Sequence, residues 1–163
     1  MLKLKEDWSL SYLLYNLCVI YYFTIPLFYI LNAVIPLLTG SIDLNLSIGK
    51  EWLIILSEVL GVVLVFVFFF QLSRVLKPIT KGESFDKRIP THLASIGWVI
   101  IIYGFLKPLS IAIFKHESST FEYFSLFLEH FNLWYLLGAF LVFVLNHVFK
   151  EGVRIYEEQK LTV

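Results

Sequence analysis

Cysteine occurs once in this chain, at Cys18, so no intramolecular disulfide and no cysteine-held metal site can form. Cys18 lies inside an apolar run, where a free thiol behaves as a small buried hydrophobe. Tyr15, Asn16 and Leu17 ahead of it are not the small residues a lipoprotein cleavage site needs, and the surrounding run is too long and too aromatic for a cleaved signal. Catalytic patterns are also missing: there is no GxSxG, no HExxH and no glycine-rich phosphate loop. The expectation is a protein that is not an enzyme and has no catalytic residue, cofactor or metal. Charged residues make up only 16% of the chain, and 13 basic residues balance 13 acidic ones. Net charge therefore gives no reason to expect direct nucleic-acid binding, and only the placement of charges carries information.

What is present is apolar. Of 163 residues 58% are hydrophobic, and a mean hydropathy of +0.77 lies far above that of soluble domains. Four apolar runs, roughly 12–38, 52–72, 93–114 and 133–149, approach or exceed the ~20 residues a helix needs to cross the hydrocarbon core. The fold class expected is an all-α integral membrane protein, one four-span domain over 1–163 folded as a four-helix transmembrane bundle. The first run is too long to stand upright, so a kink is expected near Pro26 and an end near Pro36. Ten Lys and Arg residues fall in the amino terminus, the loop at 74–92 and the tail at 150–163. Only Lys50 and Lys115 fall in the other two loops. That asymmetry predicts both termini and the central loop on the cytoplasmic side, with Trp8 at the inner interface and Trp52 and Trp134 at the outer one.

The outer loops differ. In 39–50, Ile42, Leu44, Leu46 and Ile48 alternate with polar residues, which suits either a loop laid across the helix tops or a strand pairing with another chain. In the second, Ser119 and Glu122 form a capping box ahead of Phe124, Leu128 and Phe131 at helical spacing. A short helix in the outer interface is expected there, or an early start to the fourth span.

Glu58 and Lys107 are the one carboxylate and the one amine inside apolar runs, each about 10 Å below the outer end of its span. Facing one another would relieve the cost of lipid exposure, and Asn32 falls at a similar depth; the layer is open to a structural, a functional or a snorkelling reading. His116 and His130 flank the second outer loop with Glu117 and Glu129, a set better read as solvated loop residues than as zinc ligands. Ser57 and Gly61, with Gly97, Gly104 and Gly138, offer small faces for close helix approach.

The polar segment 74–92 isolates Phe85 among charges, where it needs a pocket that the tail, through Val153 and Tyr156, is placed to supply. Two patterns stand out. One comprises Lys81, Gly82, Ser84 and Phe85 followed by Leu93, Ile96 and Gly97; the other comprises Gly152, Arg154, Glu157, Glu158, Leu161 and Thr162. On these the chain resembles the bacterial four-span membrane family catalogued as domain of unknown function 2975, with Ser84 where the family often has proline. The resemblance implies residence in the bacterial cytoplasmic membrane and no established activity. Many members are encoded beside a small helix-turn-helix regulator, which makes a membrane-bound regulatory or interaction partner the leading expectation. An accessory subunit of a larger membrane complex and a small oligomeric permease stay open. Phe85 is expected to act as an inner cap plugging the bundle, with a docking surface as the alternative.

Overall fold

The computed structural model describes residues 3–38, 50–83, 85–115 and 120–161, with side chains described at 10–28, 31, 56–83, 85–112 and 123–161. The expected side-chain positions of Trp8, Asn32 and Trp52 lie outside the described residues, as do the whole of the strand-like segment 41–48, Ser119 and Thr162. Five helices follow in order: α1 (Lys3–Leu38), α2 (Lys50–Thr80), α3 (Ile89–Lys115), α4 (Thr120–His130) and α5 (Leu133–Leu161). Among the described residues there is no strand. Four helices contain windows long and apolar enough to cross a membrane: Leu10–Phe28, Leu56–Thr80, Ile89–Ala112 and Leu133–Leu161. This is the arrangement that hydrocarbon permits, since a helix satisfies its own backbone groups.

The helices outrun the apolar runs at the end where the central turn lies. α2 continues past residue 72 to Thr80 and contains Pro78. α3 begins at Ile89 with Pro90 in its first turn, where a missing N–H costs nothing. α5 carries straight on through the polar tail to Leu161. The cause is a core at this end, in which Val75, Ile89, Leu93 and Ile96 are buried against Leu72, Ile79, Val142 and Phe149. Ile89 is completely buried. α1 runs as one helix through Pro26 and ends at Leu38, two residues beyond Pro36.

The expected four-helix bundle does not close. Among the described residues α1 packs on α2, α2 on α3, and α3 on both α5 and α4, so the spans stand in an open row. Aromatic rings determine which faces meet. Tyr22 lies against Phe66 at 4.2 Å and Phe70 at 6.0 Å, and Tyr21 stacks on Phe69, which joins α1 to one flank of α2. On α3 the approach is closer, because Gly97 lies under the ring of Phe143 and Gly104 under the side chain of Tyr135. A Cβ on Gly97 would come within 2.8 Å of Phe143, and one on Gly104 within 2.7 Å of Tyr135. With α2 and α5 held on either side of α3, an apolar cavity of about 360 Å³ opens between them, lined by Phe68, Tyr103 and Trp134 among others.

α4 is the short helix expected ahead of the fourth span, and it packs against α3 through Phe127, 6.2 Å from Phe105, with Phe131 just past its end 5.2 Å from the same ring. The chain breaks at 131–132 before α5. Asn132 caps the new helix, its side-chain oxygen accepting the Trp134 N–H at 3.0 Å.

Gly97→Ala is expected to destabilise the protein by about 1–3 kcal/mol through overpacking. Adding Phe143→Ala should recover part of that loss, giving a non-additive cycle when the three variants are melted in detergent.

Candidate functional site at the α2–α3 turn

The turn between α2 and α3 is built from its glycine. Gly82 has φ 80°, a left-handed conformation that a residue with a Cβ rarely adopts. Its N–H donates to the Ile79 carbonyl and the Glu83 N–H to the Pro78 carbonyl, both at 3.0 Å, which closes α2 with a Schellman motif. Lys81 precedes it and is exposed. The chain then folds around Asp86, whose carboxylate accepts the Arg88 backbone N–H at 2.8 Å and two guanidinium N–H groups at 3.1 and 2.8 Å. These hydrogen bonds from Arg88, side chain first and backbone second, hold the Asp86 carboxyl below its ordinary range. The Ile89 N–H donates to the Asp86 carbonyl, and α3 begins.

This geometry presents Phe85 to the tail. Its ring stacks on Tyr156 with centroids 5.7 Å apart and lies over Gly152, where a Cβ would meet the ring at 2.8 Å. Lys87 forms an ion pair with Glu157. The two sequence patterns thus meet side by side. The ring does not plug the helix row: Phe85 keeps 46% of its surface exposed, on the outside of α5. Next to it a cleft of about 540 Å³ is walled by Glu83, Phe85 and Lys87 from the turn and by Tyr156, Glu157 and Lys160 from α5. Lys160 sits 4.9 Å above the Tyr156 ring. Arg154 faces another side, bonded to Glu151 at 2.9 Å and reaching Glu158 at 3.6 Å. Leu161 ends the helix with 87% of its surface exposed. Gly97 belongs to the α3–α5 contact rather than to this cleft.

The polar residues of the spans lie elsewhere. Glu58 and Lys107 line one small cavity between α2 and α3 together with Ser57, Tyr103 and Ser110. Its volume is about 60 Å³, and both side chains are exposed. No ion pair joins them among the described residues. Of the histidines, His130 bonds the Leu126 carbonyl at 3.0 Å, and His116 with Glu117 lies outside the described residues. A contact that sequence reasoning missed joins the spans beside the turn: His92 Nδ1 and Gln71 Oε1 are 2.7 Å apart, linking α3 to α2. Its one signal was a glutamine at the polar end of an apolar run.

A family model covers residues 45–163, described as a protein of unknown function, DUF2975. The chain belongs to this family. No curated protein and no solved structure matches it. The DUF2975 match takes in α2 to α5 and both partners of the Phe85–Gly152 contact, while α1 lies ahead of it.

Because Phe85 is only half-buried, Phe85→Ala is expected to cost about 1–2 kcal/mol, short of the ~3–5 of a fully buried phenylalanine; detergent melting measures it. The Asp86 interaction has a pH signature. A carboxyl whose pKa is depressed by folding stabilises the protein above its unfolded value, about 3.9, and that contribution disappears as pH falls through the folded value. Melting temperature should accordingly fall more steeply below about pH 4 in the wild type than in Asp86→Asn.

Proposed function

We propose that this DUF2975 member is a non-enzymatic interaction protein of the bacterial cytoplasmic membrane that holds a cytosolic protein on the surface made by the α2–α3 turn and the end of α5. The reading rests on one observation: a half-exposed aromatic, Phe85, is anchored on Gly152 and Tyr156 beside a cleft of mixed polarity. Packing on the tail accounts for part of the Phe85 surface, and the ring also lines the cleft with 46% of its surface exposed. Exposed aromatics in a fixed frame are the usual anchors of protein recognition. Ile155, Tyr156 and Leu161 extend the exposed apolar surface along α5 into a stretch otherwise charged. The excess of basic residues at this end supports its placement in the cytoplasm, with both termini on the same side. A small helix-turn-helix regulator, which the family resemblance implies, is the first partner to test.

Orientation is checked with single cysteines in a Cys18→Ser background. A cysteine replacing Glu83 should react only with reagent admitted to the cytoplasm and one replacing Asn45 only with reagent outside; reaction of both from one side contradicts the reading. For the partner, a photoreactive residue at Glu83 should capture a cytosolic protein from intact cells. Phe85→Ala should reduce that capture by about tenfold, as removal of an anchor worth 1–2 kcal/mol does. Equal capture by wild type and variant would remove Phe85 from the interface.

A further inference from the structure

The other face of the turn carries a second and chemically different cavity. Arg74 and Lys77 on α2, and Lys81 in the turn just past its end, follow one another at intervals of three and four residues and line the same flank. Arg88 and His92 stand four apart at the start of α3. All five line a single cavity of about 180 Å³ floored by Pro78. The Gln71–His92 hydrogen bond and the buried contact of Val75 with Ile89 and Leu93 hold the two helices together beneath it. The cations are positioned as well as clustered: the Arg74 guanidinium lies 5.0 Å above the Phe70 ring, and Arg88 is fixed by Asp86.

Charge is left over here. One carboxylate, Glu83, lines the cavity, and Asp86 serves Arg88. Among the described residues no carboxylate pairs with Arg74, Lys77 or Lys81. Like charges at one-turn spacing repel, so folding these three onto one flank favours whatever anion neutralises them. Depth selects the anion's class. The cavity begins two residues beyond Leu72, the last residue of the apolar run, and lies at the ends of two membrane-spanning segments. Phospholipid phosphates lie at that level, and each basic residue close to an anionic membrane surface adds about 1 kcal/mol of attraction.

We propose that this cavity binds a phosphate group, supplied by the headgroup of an anionic phospholipid, through Arg74, Lys77 and Lys81 with Arg88 at its far wall. A headgroup there would tie the turn to the membrane surface and leave the Phe85 cleft facing the aqueous side. The proposal requires only that the apolar helices span a bilayer, and stands whether or not the cleft holds a protein.

The test uses the full chain in detergent, titrated with phosphatidylglycerol, phosphatidylcholine or inorganic phosphate at matched ionic strength, with binding read by native mass spectrometry and melting. Phosphatidylglycerol is expected to bind and to raise Tm where phosphatidylcholine does not. Arg74→Gln with Lys77→Gln should weaken it by about tenfold to thirtyfold. The charge-matched control, Lys87→Gln with Lys150→Gln, should weaken it by less than about threefold. Arg74→Lys with Lys77→Arg, which keeps both charges, should retain the preference and shows that loss in the first pair is not misfolding. Binding of inorganic phosphate with the same dependence on Arg74 and Lys77 would support the phosphate chemistry and assign it a soluble source. Equal binding of the two lipids with no response to phosphate, or equal weakening by the cavity and control pairs, would overturn the proposal.

Discussion

Three glycines, Gly97, Gly104 and Gly152, each lie under an aromatic side chain, and the arrangement of the molecule depends on the first two. In a membrane, apolar side chains gain little by leaving lipid for one another, so helices associate where their surfaces approach closely enough for dense contact. Phe143 over Gly97 and Tyr135 over Gly104 provide this on α3, which makes α3 the member of the row that touches three other helices. With α5 so placed, Phe149 and Val142 complete the core around Ile89, and the tail passes beneath the turn where Gly152 can take Phe85.

The turn itself separates two kinds of surface. On the α5 side its charges are matched, Lys87 with Glu157, and the cleft combines an aromatic wall with a balanced rim. On the α2 flank Arg74, Lys77 and Lys81 have no carboxylate partner among the described residues, and Glu83 is the one acid lining the cavity they share. Asp86 stands between the two. By binding the Arg88 backbone and guanidinium together it sets the path of the chain, so that Phe85 points toward the tail while Arg88 closes the basic cavity. A turn of this length could not present both surfaces without the left-handed Gly82 that ends α2 abruptly.

The small Glu58–Lys107 cavity and the larger apolar cavity follow from the same open row. In a closed bundle each would lie in an interior; here the Glu58 and Lys107 side chains share a wall and still reach the surface. Their joint position was legible from matching depth along two antiparallel spans, because rise per residue is constant in a helix. Which way each side chain turns was not, since rotation about the axis depends on packing.

Hydropathy alone determined that four helices of membrane-spanning length exist, because apolar runs near 20 residues have no other stable form in lipid. Helical spacing of apolar residues marked the segment ahead of the fourth span as helical, and the spacing of glycine, phenylalanine and the acid-rich tail marked the two segments that meet. The sequence did not carry the order of contacts. An all-round apolar helix has no favoured face, so nothing in α2 or α3 said that α1 would stop at α2 or that the row would stay open. Nor did it show that α2 would run past Pro78, since that extension depends on Val75 and Ile79 finding Ile89 and Leu93 across the turn. The exposure of Phe85 was likewise decided by tertiary structure: a glycine on α5 fell within reach of its ring, and a single missing Cβ gave it a resting place outside the helices.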